Sequence, residues 1–179
     1  MEIRDFDMIY LATDHRGFGL KEKIKEWLKE WGYRYEDMGA FEYNPEDDYP
    51  DFISKAAEKV SQDPENSKAI ILGGSGQGEA IVANRHKGVR AAVFYGPSLG
   101  RKFFWYFFGG GYLLGRTIKL AKELENVVKL SREHNDANIL SLGIFFLDED
   151  TAKRVIKLWL ETPFSNEERH RRRINKIDS

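Results

Sequence analysis

The chain has 179 residues with a formal net charge of −1, and 41% of its residues are hydrophobic. This length is sufficient for one domain with a substantial core, and the near-zero charge excludes a global field that would attract nucleic acid or membranes. There is no cysteine, which excludes disulfides, thiolate metal ligands and a cysteine base. The N-terminus lacks the apolar core of a signal peptide, and the dense apolar stretch at 103–114 is shorter than the ~20 residues of a membrane span. We therefore expect a cytoplasmic protein with no nucleic-acid or membrane partner.

Short β-type runs alternate with amphipathic helical runs along the chain. In order, the predicted elements are strand Met8–Ala12, helix Lys21–Trp31, strand Tyr33–Met38, helix Asp51–Ser61, strand Ala69–Leu72, helix Gly78–Asn84, strand Val89–Tyr95, helix Ile118–Leu130, strand Asn138–Leu142 with a possible extension to Phe146, and a helix from the Asp148 cap through Leu160. This alternation is typical of an open parallel sheet with helices on both faces. Without a repeat or linker, it predicts a single α/β domain over residues 1–179 whose ligands bind at the carboxyl ends of the strands.

A glycine-rich segment, Gly-Gly-Ser-Gly-Gln-Gly-Glu, follows the third predicted strand at residues 73–79. Glycine allows close approach to a ligand, and a loop that leads into a helix exposes N–H groups that hold an anion or a developing oxyanion. The segment has neither the lysine of a Walker loop nor the full dinucleotide-binding pattern. Because four glycines exceed the needs of a tight turn, we favour a ligand-binding loop over a purely structural one.

Glu79 ends this segment at the start of the predicted helix, and two interpretations remain open. As a structural residue it complements the helix dipole, which contributes about 0.3–1 kcal/mol. As a functional residue it is a general base that removes a proton next to a carbonyl group while backbone amides stabilise the enediolate. Proton transfer by a placed carboxylate contributes about 10²–10⁴ in rate. Sequence spacing alone does not choose between these roles.

Six segments, taken in order, resemble the type B ribose-5-phosphate isomerases and their galactose-6-phosphate isomerase relatives. They are Asp-His-Arg-Gly-Phe at 14–18, Asp-Tyr-Pro-Asp at 48–51, the glycine segment with Ala83-Asn84, Gly-Val-Arg-Ala-Ala at 88–92, Arg-Glu-His-Asn-Asp-Ala at 132–137, and the basic tail at 169–174. The resemblance covers nearly the whole chain except about residues 96–130. It implies a Rossmann-like three-layer α/β/α fold with a five-stranded parallel sheet. It also implies a homodimer, with a tetramer as the alternative assembly, whose active sites draw residues from both subunits.

The resemblance further implies aldose–ketose isomerisation of a phosphosugar through an enediolate, without metal or cofactor. Many members use a cysteine base at the position of Gly73, whereas a branch with this chain's loop pattern uses the glutamate, so Glu79 inherits the role of base. The other implied roles are stabilisation of the enediolate oxygen by Ser75 and the amides near Gly74, Gly76 and Gly78, ring opening by His134, hydroxyl binding by Asp14 and Asn135, and phosphate binding by His15, Arg169 and Arg173. Each has a structural alternative: a helix cap for Asp14, a satisfied loop histidine for His15, a helix terminus at His134-Asn135, and a solvated tail for the arginines.

The sequence departs from the family pattern in two places. Phe145 stands where the family usually has a phosphate-binding arginine, which Arg16, Arg101 or Arg116 could replace unless the substrate differs or lacks the phosphate. The segment at 96–130 is longer than usual and contains six consecutive aromatic residues at 103–108. We favour extra core or an oligomer contact for it over an aromatic lid hinged at 109–111. These departures leave a second interpretation, a catalytically weak partner subunit or a sugar-phosphate-binding protein.

Overall fold

The computed structural model of the protein describes residues 8–96 and 126–179. These residues form a five-stranded parallel sheet with the strand order β2-β1-β3-β5-β4. The strands are β1 (Met8–Thr13), β2 (Tyr35–Asp37), β3 (Ser67–Gly73), β4 (Ala91–Tyr95) and β5 (Ile139–Gly143). The helices are α1 (Phe18–Glu30), α2 (Pro50–Gln62), α3 (Gln77–Ala83), α4 (residues 126–133), α5 (Glu149–Glu161) and α6 (Glu168–Ile174). The predicted Rossmann-like α/β fold with a five-stranded parallel sheet is therefore confirmed.

The central strand β3 is buried along its whole length, because helices cover both faces of the sheet. Its side chains alternate between two hydrophobic clusters: Ile70 and Leu72 pack with α1 and α5, whereas Ala69 and Ile71 pack with α2 and α3. This alternation follows from the two-residue period of a strand. A continuous apolar run is thus the sequence pattern of a strand with no polar face.

Several boundaries differ from the sequence-based expectations, and neighbouring strands explain two of them. β2 is reduced to three residues at the sheet edge, where β1 is its one partner. β5 ends at Gly143, whose sheet partners Gly73 and Tyr95 also end their strands, so the chain turns into a short 3₁₀ helix at Ile144–Phe146 instead of extending the sheet. The predicted Asp148 cap is confirmed, since its Oδ1 accepts a hydrogen bond from the Thr151 N–H at 2.8 Å.

The predicted helix at 118–130 and the aromatic segment lie largely outside the described residues, as do Arg101, Arg116 and the glycines at 109–111. Within 8–96 and 126–179, no helix has the length and apolar character needed to cross a membrane.

Because all five strands run in one direction, their carboxyl ends lie on one side of the sheet, which we call the carboxyl edge. Their amino ends lie on the opposite side, which we call the amino edge. The segment 14–17, the loop before α3 and the 3₁₀ turn follow strands and lie at the carboxyl edge. Residues 134–138 precede β5 and lie at the amino edge. With a rise of about 3.3 Å per residue, the five residues of β5 separate these edges by roughly 16 Å.

Candidate active site

Glu79 lies in the first turn of α3 at the carboxyl edge, and its residue surface is only 4% exposed. Its carboxylate occupies the space above Gly73, the last residue of β3. A Cβ placed on Gly73 would overlap Glu79 Oε1 and crowd both other carboxyl atoms. Residue 73 therefore cannot carry a side chain while the Glu79 carboxylate lies where the structure shows it.

The surroundings of Glu79 favour the protonated form of its carboxyl group more strongly than bulk water would. Burial raises the pKa of its carboxyl group, and the neighbouring Asp14 carboxylate adds to this effect. A hydrogen bond from its own backbone N–H and the positive charge of Arg16 act in the opposite direction. A glutamate that merely complements a helix dipole needs no burial, so the geometry favours a functional carboxylate whose pKa is moved towards neutrality.

Packing within the protein accounts for much of the glycine content of the loop. Gly76 has a φ of +75° and begins α3 against the backbone of β5, a conformation that L side chains rarely adopt. A Cβ on Gly74 would lie 2.6 Å from the Phe145 ring, and a Cβ on Gly78 would lie 2.8 Å from the Tyr49 ring. The number of glycines therefore does not by itself indicate a ligand, and the case for a ligand-binding loop depends on the carboxylate beside it.

The other residues predicted for this loop surround Glu79 at the carboxyl edge. Ser75 is exposed, and its hydroxyl accepts a hydrogen bond from the Gln77 N–H at 3.3 Å. Asp14 is 4% exposed, and its Oδ1 accepts from the Arg16 N–H at 3.0 Å. The structure thus brings together Asp14, His15, Gly74, Ser75, Gly76, Gly78 and Glu79.

His15 has a partner that the sequence did not reveal. Asp47, in the loop between β2 and α2, accepts from the His15 backbone N–H at 2.9 Å and lies 2.7 Å from His15 Nδ1 through the same oxygen, Oδ1. Its other oxygen, Oδ2, is buried and has no hydrogen-bond partner among the described residues. Asp47 stands in an acidic run, Glu-Asp-Asp at 46–48, which by composition alone resembles a solvated loop.

Asp14, His15 and Asp47 also form the group of described residues most suited to hold a cation. One potential ligand atom from each lies within 4.8 Å of the others. The short contact between His15 and Asp47 is already satisfied by a hydrogen bond, so the arrangement has an explanation within the protein.

Phe145, the residue at the position of the expected arginine, packs on the loop. Its N–H donates to the Gly74 carbonyl oxygen at 3.1 Å, and the residue remains 59% exposed. The Arg16 guanidinium carbon lies 5.3 Å from the centroid of this ring. Of the three arginines considered as replacements, Arg16 is the one in the described part of the chain, and it lies at the rim of the candidate site.

The remaining predicted residues lie at the amino edge. His134 follows α4 and stacks on His170 of α6, with ring centroids 4.4 Å apart and an interplanar angle of 11°. Burial lowers the pKa of His170, and the charge of His134 adds to this effect. Asn135 is exposed next to the stack.

Arg169 and Arg173 lie on the same short helix α6, and both side chains are exposed. Arg169 Nε is 2.8 Å from a carboxylate oxygen of Glu167. Neither is among the charged groups that act on the Glu79 carboxylate within the protomer, which are Asp14 and Arg16. The predicted site residues therefore form two groups, at opposite edges of one sheet.

The fold and the carboxyl-edge group define an α/β protein of the Rossmann-like class with a candidate acid–base site at the strand ends. A family model described as Ribose/Galactose Isomerase matches residues 9–102 and 121–177. The chain belongs to the ribose/galactose isomerase family.

Named relatives and solved structures agree with this membership. The chain is 34% identical over 167 residues to ribose-5-phosphate isomerase B of Mycobacterium leprae, covering 93% of this chain and 85% of the relative. The crystal structure of ribose-5-phosphate isomerase B from Mycoplasma genitalium with bound ribulose-5-phosphate matches with a TM-score of 0.77 at 30% identity, covering 95% of this chain and 93% of the other. The enzyme from Clostridium thermocellum matches with a TM-score of 0.75 at 34% identity, with 96% and 95% covered.

Proposed function

We propose that this protein is an aldose–ketose isomerase that converts a sugar phosphate, such as ribose 5-phosphate, through an enediolate with Glu79 as the general base. The family membership and the named relatives support the reaction. The observation that carries the assignment of the base is the buried carboxylate of Glu79 above Gly73, with its raised pKa.

In the proposed reaction, the Glu79 carboxylate removes the proton from C2 of the open-chain aldose. The electron pair of that C–H bond forms the C1–C2 double bond of the enediolate, and the carbonyl electrons move onto O1. Ser75 and the loop amides near Gly74, Gly76 and Gly78 hold the developing oxyanion. Glu79 then returns the proton to C1 while the C2 hydroxyl proton is lost to O1, which gives the ketose with every atom conserved. The Asp14 carboxylate accepts hydrogen bonds from sugar hydroxyls.

We also propose that the chain forms a homodimer, or a tetramer built from such dimers, because the predicted residues lie at two edges about 16 Å apart. A second copy that presents its amino edge to the carboxyl edge of the first supplies His134 for ring opening and Asn135 for hydroxyl binding. Arg169 and Arg173 of α6 then approach the phosphate together with His15. We also propose that the protein works in the cytoplasm, in the same compartment as its substrate, since charged sugar phosphates do not cross membranes unaided.

The test is a panel of four- to six-carbon aldose phosphates, assayed with wild type and with Glu79→Gln. We expect at least one sugar to be isomerised and kcat to fall about 10²–10⁴-fold in the variant. Because the base must be ionised, the kcat of the wild type should fall as the pH drops through the raised pKa of Glu79, above the 4.5 of an ordinary glutamate. This acid limb should be absent from the residual rate of the variant.

The alternative function, a weakly catalytic partner subunit or binding protein, is favoured by one observation, the phenylalanine at position 145. It predicts sugar-phosphate binding without turnover by the purified protein. If wild type isomerises a sugar and Glu79→Gln does so equally fast, the reaction stands and the assignment of the base is wrong.

A further inference from the structure

We propose that Arg16 is the residue at the carboxyl edge that binds the phosphate group of the substrate, and that the Phe145 ring holds its guanidinium in position. This inference depends on the proposed function, which supplies the sugar phosphate. It identifies the phosphate as the part of the substrate that binds to an arginine of the same protomer as Glu79.

Three strand ends meet at the Arg16 side chain. Arg16 follows β1, and its backbone N–H is fixed by Asp14 Oδ1. Its Cδ lies 3.2 Å from the position that a Cβ of Gly74 would occupy, so the side chain runs across the loop after β3. Its guanidinium lies over the ring of Phe145, which follows β5. Phe145 is itself tied to the loop by its hydrogen bond to the Gly74 carbonyl oxygen.

The positive charge of Arg16 is not neutralised by an ion pair with a described carboxylate, whereas Lys21 and Lys25 are paired. Lys21 and Lys25 both form ion pairs with Asp37 at the end of β2. Arg16 is exposed and forms no ion pair with any carboxylate of residues 8–96 and 126–179. Its side chain passes Gly74, the neighbour of Gly73 over which the Glu79 carboxylate lies, and its positive charge acts on that carboxylate.

Stacking on an aromatic face suits a guanidinium for phosphate binding. With its central carbon 5.3 Å from the ring centroid, the guanidinium is held by the ring and not by a carboxylate of the described residues, so its N–H donors are left for a bidentate contact with two phosphate oxygens. Glu79 is buried and Arg16 lies at the rim, so a substrate whose C1 and C2 reach the base directs its far end towards the rim. Arg169 and Arg173 reach this place only from a second copy, whereas Arg16 belongs to the protomer that holds the base.

The test compares Arg16→Ala with Arg34→Ala, which removes an exposed arginine before β2 at the amino edge. We expect Arg16→Ala to raise KM for the sugar phosphate about 10–100-fold, the range for losing a charge-assisted hydrogen-bonded contact, with a smaller effect on kcat. Competitive inhibition by inorganic phosphate should weaken by a similar factor. Phe145→Ala should raise KM and weaken the inhibition by phosphate by smaller factors than Arg16→Ala does. Arg34→Ala should match wild type in both measurements.

A second readout needs no turnover. Inorganic phosphate should raise the thermal unfolding midpoint of wild type and of Arg34→Ala, because a ligand that binds the native state stabilises it, but not that of Arg16→Ala. An unchanged phosphate response in Arg16→Ala, or none in wild type, overturns the inference even if isomerase activity is present. Arg16→Ala could instead shift the acid limb of the pH profile of kcat and leave phosphate inhibition unchanged. That result would show that Arg16 acts on Glu79 and not on the phosphate, and it would also overturn the inference. Absence of turnover with an Arg16-dependent phosphate response would refute the proposed function and leave the phosphate contact standing.

Discussion

Gly73 and Glu79 compete for one volume at the end of β3. The carboxylate lies where a side chain at position 73 would begin, so the absence of that side chain is a condition for the observed position of the proposed base. Burial in this volume raises the pKa of Glu79, which brings a carboxylate closer to the proton affinity that a general base at neutral pH requires.

Replacement of Gly73 by alanine tests this competition. Gly73 does not have a positive φ, so alanine does not strain the backbone and its methyl group acts by displacing the Glu79 carboxylate. We expect kcat for the preferred sugar phosphate to fall at least ~100-fold, because a misplaced base loses its alignment with the substrate proton.

The matched control is Gly19→Ala in α1, where a Cβ has no neighbouring atom within 4 Å. It should leave kcat unchanged, and both variants should retain the circular dichroism spectrum of wild type. A Gly73→Ala protein with wild-type kcat would contradict the placement of the base.

The identity of these two residues was predictable from the sequence, and their geometry was not. The glycine segment and its glutamate indicated a base by resemblance. The overlap of residues 73 and 79 depends on the path of the loop in three dimensions, which spacing does not define. The glycine count was a weaker guide than it looked, because Gly74, Gly76 and Gly78 are each packed closely against protein atoms.

Two side chains of the loop between β2 and α2 contact His15 in the segment after β1: Asp47 through hydrogen bonds, and Tyr43 through an edge-on ring contact with centroids 6.2 Å apart. Asp47 accepts from both the backbone N–H and the ring of His15 across 32 positions of sequence. Donation by Nδ1 fixes the tautomer and leaves Nε2 for another partner. Asp47 therefore acts as a positioning residue for His15 in the proposed phosphate-binding group.

We expect Asp47→Ala to raise KM for the sugar phosphate roughly 3–30-fold with a smaller change in kcat, since it removes up to two hydrogen bonds that orient His15. Asp47→Asn keeps an oxygen acceptor in the same place and should restore most of the affinity. Steady-state kinetics of both variants, with exposed Glu46→Ala as the neighbouring control, provides the measurement. Equal KM values for Asp47→Ala and wild type would refute the positioning role.

Elements with strong periodicity were predictable, and contacts between elements decided the rest. β3 was found from its apolar run, and α5 from the Asp148 cap and its amphipathic pattern. The end of β5 at Gly143 depends on where β3 and β4 end, which no local pattern shows. For the same reason, Asp47 could not be connected to His15 from a charged run in a loop.

Within one protomer, the fold keeps apart residues that the proposed reaction requires in a single site. Parallel strands place Glu79 at the carboxyl edge, and the stack of His134 on His170 fixes the other group at the amino edge. A rigid central sheet cannot fold these edges onto each other. The proposed reaction therefore requires a second copy of the chain, which would give each dimer two composite sites.

A mixture of two impaired variants tests whether each active site is built from two copies of the chain. Glu79→Gln and His134→Ala are each expected to lower kcat at least tenfold. Co-refolded in equal amounts, they should recover roughly a quarter of wild-type activity, because about half of the dimers are mixed and one of the two sites in each is intact. Native mass spectrometry measures the mixed dimers. Mixed dimers that remain as inactive as the separate variants would contradict a site in which Glu79 of one copy works with His134 of another.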